Sequence, residues 1–124
     1  MPDIQRFNAT SVSYFSENSV DIIGLSDDDQ EPDHFVVVMH LSQNERSPLH
    51  CIELQTEAMV HPLAGAIQAV TLSAQQLMIT LTDSARAELG YRALEVTLPE
   101  RHERQLLLQY LHLCFDDAAL TIEE

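Results

Sequence analysis

Through much of the chain apolar and polar positions alternate, the pattern of strands that bury one face. Phe7 to Phe15 alternates loosely, and Ser19 to Leu25 carries Val20, Ile22 and Ile23, with Glu17-Asn18 predicting a hairpin between them. His34 to Leu41 is apolar on both parities, which predicts a central strand covered on both faces. Leu49 to Thr56 alternates with Ile52 and Leu54 inward. Ala66 to Leu72 and Gln76 to Leu81 then predict a second hairpin around Ser73-Ala74-Gln75.

Beyond these strands the period changes. Thr82-Asp83-Ser84 offers an N-cap, Ala85 to Leu89 are helix formers and Gly90 supplies a left-handed stop, so a short helix is expected over Asp83 to Leu89. Leu94, Val96 and Leu98 alternate as a further strand. Pro99 predicts the opening of a long helix from Glu100 to Phe115, with Glu100 and Glu103 in its first turn complementing the macrodipole. Its polar stripe (Gln105, Gln109, His112, Asp116) is narrow, so the helix must be covered on more than one side. A sheet covers one face. The tail from Ala118 to Ile122, folded back, is one candidate for the other, the short helix a second, and a homodimer through the 100–115 flank the third. The expected fold class is α+β: an antiparallel β-sheet, the long C-terminal helix packed on one of its faces and the short helix between late strands.

Length bounds this to one domain over 1–124, since two cores would leave each half marginal. The longest apolar run, Phe35 to Met39, is far too short to span a bilayer. The start, Met-Pro-Asp-Ile-Gln-Arg, lacks the basic end and apolar stretch of a secretory signal, so a cytoplasmic location is expected. Cys51 and Cys114 have neither disulfide-framework nor zinc-cluster spacing and read as reduced, partly buried thiols.

Charge changes the picture most. Twenty Asp and Glu stand against six basic residues, all Arg, for a net charge of −14. Such a surface repels phosphate backbones and anionic lipid, which argues against nucleic-acid and membrane partners and for a basic protein partner. The acids concentrate in the loop from Ser26 to Asp33, where Asp27, Asp28, Asp29, Glu31 and Asp33 form a carboxylate patch able to speed encounter with a basic surface. Read as a calcium loop, that stretch lacks the glycine of the sharp turn and the distal Glu. No metal is expected. The six histidines, at 34, 40, 50, 61, 102 and 112, form no ligand pair at H-x-H or H-x-x-x-H spacing.

Catalytic signatures are also missing from the sequence. No Ser stands in a G-x-S-x-G elbow, a P-loop needs the lysine this chain lacks, and three glycines provide no Gly-rich phosphate loop. Glu53 and Glu57 are the one carboxylate pair in a strand-like segment. A sound core without such chemistry reads as a binding module, with neither enzymatic activity nor a cofactor.

The order of the pieces resembles the immunity protein 10 family. The residues that carry the resemblance are Gly24-Leu25-Ser26-Asp27-Asp28-Asp29 before the apolar strand 34–41, Cys-Ile-Glu-Leu at 51–54, Gly65-Ala66-Ile67 leading into Val70-Thr71-Leu72-Ser73, Leu77 to Thr82 followed by Ala85 to Gly90, and the Leu-rich helix ending in Leu113-Cys114-Phe115. It spans about residues 7 to 115. The resemblance implies a small protein that protects its producer by binding a cognate toxin domain of a bacterial polymorphic-toxin system. A nuclease toxin, with its basic substrate cleft, would suit the charge. The competing expectation is a small-molecule-binding or regulatory α+β domain with its pocket between sheet and long helix.

Overall fold

The computed structural model describes residues 4–17, 20–28, 30–31, 33–41, 52–57, 59, 61–99, 104–115 and 119–123. The protein is α+β, and its described residues form two five-stranded sheets and two helices. Its strands are β1 (Ile4–Asn8), β2 (Ser11–Glu17), β3 (Val20–Ser26), β4 (Phe35–Leu41), β5 (Ile52–Thr56), β6 (Leu63–Ala64), β7 (Ile67–Leu72), β8 (Gln76–Leu81), β9 (Ala93–Thr97) and β10 (Leu120–Ile122). Helix α1 (Asp83–Leu89) lies between β8 and β9, and α2 (Arg104–Cys114) between β9 and β10.

One sheet is an antiparallel meander, β2-β3-β4-β5-β6. The other is mixed, in the order β1-β9-β8-β7-β10, with parallel pairs at both edges. This corrects the expectation of one antiparallel sheet. The chain changes sheets twice: at Ala9-Thr10, where the Ala9 amide donates to the Thr97 carbonyl and the Thr10 amide to the Ser26 carbonyl, each at 2.8 Å, and at Gly65-Ala66 between β6 and β7. A sheet of ten strongly twisted strands tends to divide, and the division lets both inner faces close on one core.

That core follows the alternation. Ile23 and Leu25, Val36 and Val38, and Ile52 and Leu54 are buried on one face of the meander, and Val70 and Leu72, Leu77 and Ile79, and Leu94 and Val96 on one face of the mixed sheet. Both sets belong to a single cluster. Helix α2 adds Leu107, Leu111 and Cys114 to it and packs against β2, β3 and β4. At eleven residues, α2 is shorter than the expected 100–115 span, whose positions 100–103 lie outside the described residues. Phe115 follows the helix and is buried.

The short helix matches its local chemistry. Thr82 caps it, its Oγ1 accepting the Ala85 amide, and Gly90 ends it at φ 86°, donating its amide to the Arg86 carbonyl. The tail pairs with β7 as β10 instead of lying as an unpaired strap on the helix: the Val70 amide donates to the Ala119 carbonyl and the Glu123 amide to the Leu72 carbonyl. No helix among the described residues is long and apolar enough to cross a membrane.

Candidate functional site

The acidic loop joins β3 to β4, and the structure separates its carboxylates by role. Asp27 is half-buried and turned inward on the loop: its Oδ1 accepts the amides of Asp33 (3.0 Å) and His34 (3.3 Å), while its own amide donates to the His34 carbonyl. The Thr10 hydroxyl donates to the Asp27 carbonyl, tying the loop to the point where the chain changes sheets. Asp28 is exposed and its Oδ1 accepts the Gln30 amide at 2.9 Å, a local Asx turn. Glu31 and Asp33 are exposed. Asp29 lies outside the described residues. Asp27 therefore shapes the loop, whereas Asp28, Glu31 and Asp33 offer charge to solvent.

A second clamp holds the far end of the loop. His34 Nδ1 lies 2.8 Å from Glu57 Oε1, just beyond β5, and the Phe35 amide donates to Glu57 Oε2 at 3.4 Å. The His34 ring stacks on Phe7 of β1, centroids 6.0 Å apart. The Glu57 hydrogen bond pushes the His34 pKa above 6.5 against a smaller opposing effect of burial, and the charges of Glu57, Asp27 and Asp33 add to it. When protonated, His34 sets a positive charge beside Glu57, favoured also by the nearby charges of Asp27 and Asp33. Of the expected carboxylate pair, Glu57 serves this clamp and Glu53 stands separately in β5 opposite Met39. Sequence spacing gave no sign of the clamp, because His34 and Glu57 meet only when β4 and β5 pair.

Another polar group lies under α2. Ser16 donates to Asp21 Oδ1 at 2.8 Å and lies 2.8 Å from the Tyr110 hydroxyl, and His40 Nδ1 is 3.5 Å from Asp21 Oδ2. The carboxylate sits between serine and histidine, so the histidine is not placed to take the serine's proton as in a hydrolase triad. Nearby Cys114 is buried, and burial first, with the Asp21 charge adding to it, pushes its pKa up to about 12. A thiol so far from ionisation is a packing group. Among the described residues no three His, Cys, Asp or Glu side chains are grouped to hold a metal.

The space between α2 and the meander is filled by Leu107, Leu111 and Cys114. Two broad surface clefts lie elsewhere: one of about 370 Å³ is lined by Ser73, Gln75, Thr97 and Glu123, and one of about 520 Å³ runs along Arg104, Gln105, Leu106 and Gln109. On the helix flank suggested for a homodimer, Leu113 is 46% exposed and Leu106 and Leu108 are half-buried.

No family model matches the chain, and no curated protein matches it.

Proposed function

We propose that this chain is a bacterial immunity protein that neutralises a cognate polymorphic toxin, a nuclease suiting its charge, by direct stoichiometric binding. The observation that carries the reading is the acidic loop held by two clamps. Asp27 closes it from within and the His34–Glu57 pair from its far end, so Asp28, Glu31 and Asp33 project from a prearranged segment of a chain with net charge −14. Prearranged charge raises the encounter rate with a basic surface, and little ordering entropy is lost on contact. A basic cleft that binds a phosphate backbone is such a surface, and an acidic inhibitor competes for it directly. The resemblance to the immunity protein 10 family supports the same role, and with it a cytoplasmic site of action and a mechanism without catalysis or cofactor.

The test is co-expression with the C-terminal domain encoded by the adjacent upstream gene. The expected result is growth arrest by that domain alone, restored growth with this chain, and a complex that co-purifies at fixed stoichiometry. A lethal, folded domain that neither binds this chain nor is relieved by it would overturn the assignment of that neighbour as target. Specific retention of a small molecule through purification would move the reading to a ligand-binding domain.

A further inference from the structure

The outward faces of the two sheets differ in kind. On the mixed sheet the outward positions are mostly polar: Arg6 pairs with Glu95 in register and by salt bridge, Thr71, Thr80 and Thr97 share that side, and Met78, between Thr71 and Glu95, is the one large apolar side chain in the middle of it. On the meander the outward positions form an apolar row, with Ser13 and Gln55 beside it. Phe15 stands opposite Ile22, Ile22 opposite Met39, and Gly24 opposite Val37, with Val20 and Phe35 at the two ends. Phe15 is 52% exposed and the other five side chains are half-buried. An antiparallel sheet with a free face normally carries polar residues there, as this chain mostly does on its other sheet. Gly24 adds no side chain, and the Ser13 hydroxyl fills the space over it, 2.8 Å from where a Cβ would stand.

The rim of this face is acidic. Glu17 flanks Val20, Glu53 flanks Met39, and the acidic loop leaves the face at Ser26 and returns at Phe35. The described arginines lie elsewhere: Arg6 in β1, Arg86 in α1, Arg92 ahead of β9 and Arg104 in α2. Resting on the protein-binding reading above, we infer that the outward face of the meander anchors the complex, and that the partner inserts an apolar protrusion ringed by lysine or arginine. An apolar centre inside a charged rim is the ordinary anatomy of a specific interface. Charge selects the occupant, because a second copy would bring another −14 and set Glu17 and Glu53 against like charge, whereas a cationic rim is attracted to both.

The probe is a short cationic peptide with one leucine-rich face, titrated into isotope-labelled full-length chain and followed by NMR. A control peptide carries serine at the leucine positions. The leucine peptide should shift the amides of Phe15, Ile22, Val37 and Met39, and Phe15→Ser should weaken it by roughly tenfold or more. Because Phe15 is exposed, that variant keeps its core, and Met39→Ser provides a second with the same expected direction. Equal binding of both peptides, with shifts confined to the acidic loop, would overturn the inference. So would concentration-dependent self-association that Phe15→Ser abolishes, since the occupant would then be a second copy. If the toxin domain binds Phe15→Ser and Met39→Ser as tightly as the parent, this surface fails and the immunity reading survives. If no toxin domain binds the parent while the leucine peptide docks on this face, the immunity reading fails and the surface survives.

Discussion

Replacing Asp27 by Ala separates the acid that shapes the loop from those that face solvent. The substitution removes two charge-assisted bonds to backbone amides, at 3.0 and 3.3 Å, from a half-buried carboxylate. Fully buried bonds of this kind are worth about 1.5–3 kcal/mol each, and partial exposure here brings the pair down to about 1–2 kcal/mol. For a domain of this size that lowers Tm by roughly 4–8 °C. Glu31→Ala, at an exposed position, should stay within about 0.5 kcal/mol of the parent. Urea unfolding of both variants measures the difference, and hydrogen exchange of the Asp33 and His34 amides localises it. Those amides should exchange faster in Asp27→Ala and be unchanged in Glu31→Ala. Equal stability of the two variants, with unaltered exchange at Asp33 and His34, would refute the division of roles.

The His34–Glu57 clamp gives stability a pH dependence. The folded pKa of His34 lies above 6.5, so the clamp's contribution is fully present below that value and is lost as pH rises through the folded pKa. Glu57→Gln should therefore be less stable than the parent at about pH 5.5, by roughly 0.2–1 kcal/mol for so exposed a pair, and the gap should shrink at about pH 9; urea titrations at the two pH values check it. Leu54→Ala empties a fully buried site between β4 and β6 and should cost about 2.7–5 kcal/mol by the same titration. Cys114, its pKa pushed up to about 12, should resist iodoacetamide at about pH 8 in the folded chain and react once unfolded, as read by peptide mapping.

Local chemistry made parts of the fold legible. The caps of α1 are both within the sequence that forms it, Thr82 at one end and Gly90 at the other, so its bounds could be read directly. Alternation likewise located β3, β5, β7 and β8. The division into two sheets was not legible: the switch at Ala9-Thr10 carries neither Gly nor Pro and depends on partners at Thr97 and Ser26, and Gly65 at the second switch reads in sequence as an ordinary turn glycine. Strand β10 is three residues long and exists through its pairing with β7. The residues of β4 read as covered on both sides, yet Val36 and Val38 are buried while Val37 and Met39 remain half-buried on the outward face. Within the acidic loop five carboxylates look alike in sequence, and among the four described ones the pair of backbone amides gathered at Asp27 sets that one apart.

Stoichiometric, charge-guided binding is the central claim, and its most direct measurement is the association rate with the purified toxin domain across a range of salt concentrations. The parent is compared with a chain carrying Asp28→Asn, Glu31→Gln and Asp33→Asn, which leaves the Asp27 closure intact. The expected result is a one-to-one complex whose association slows as salt rises, with the variant slower at low salt and flatter in its salt dependence. Equal rates and slopes for parent and variant would remove the acidic loop from the mechanism, and no complex at any salt concentration would contradict the claim itself.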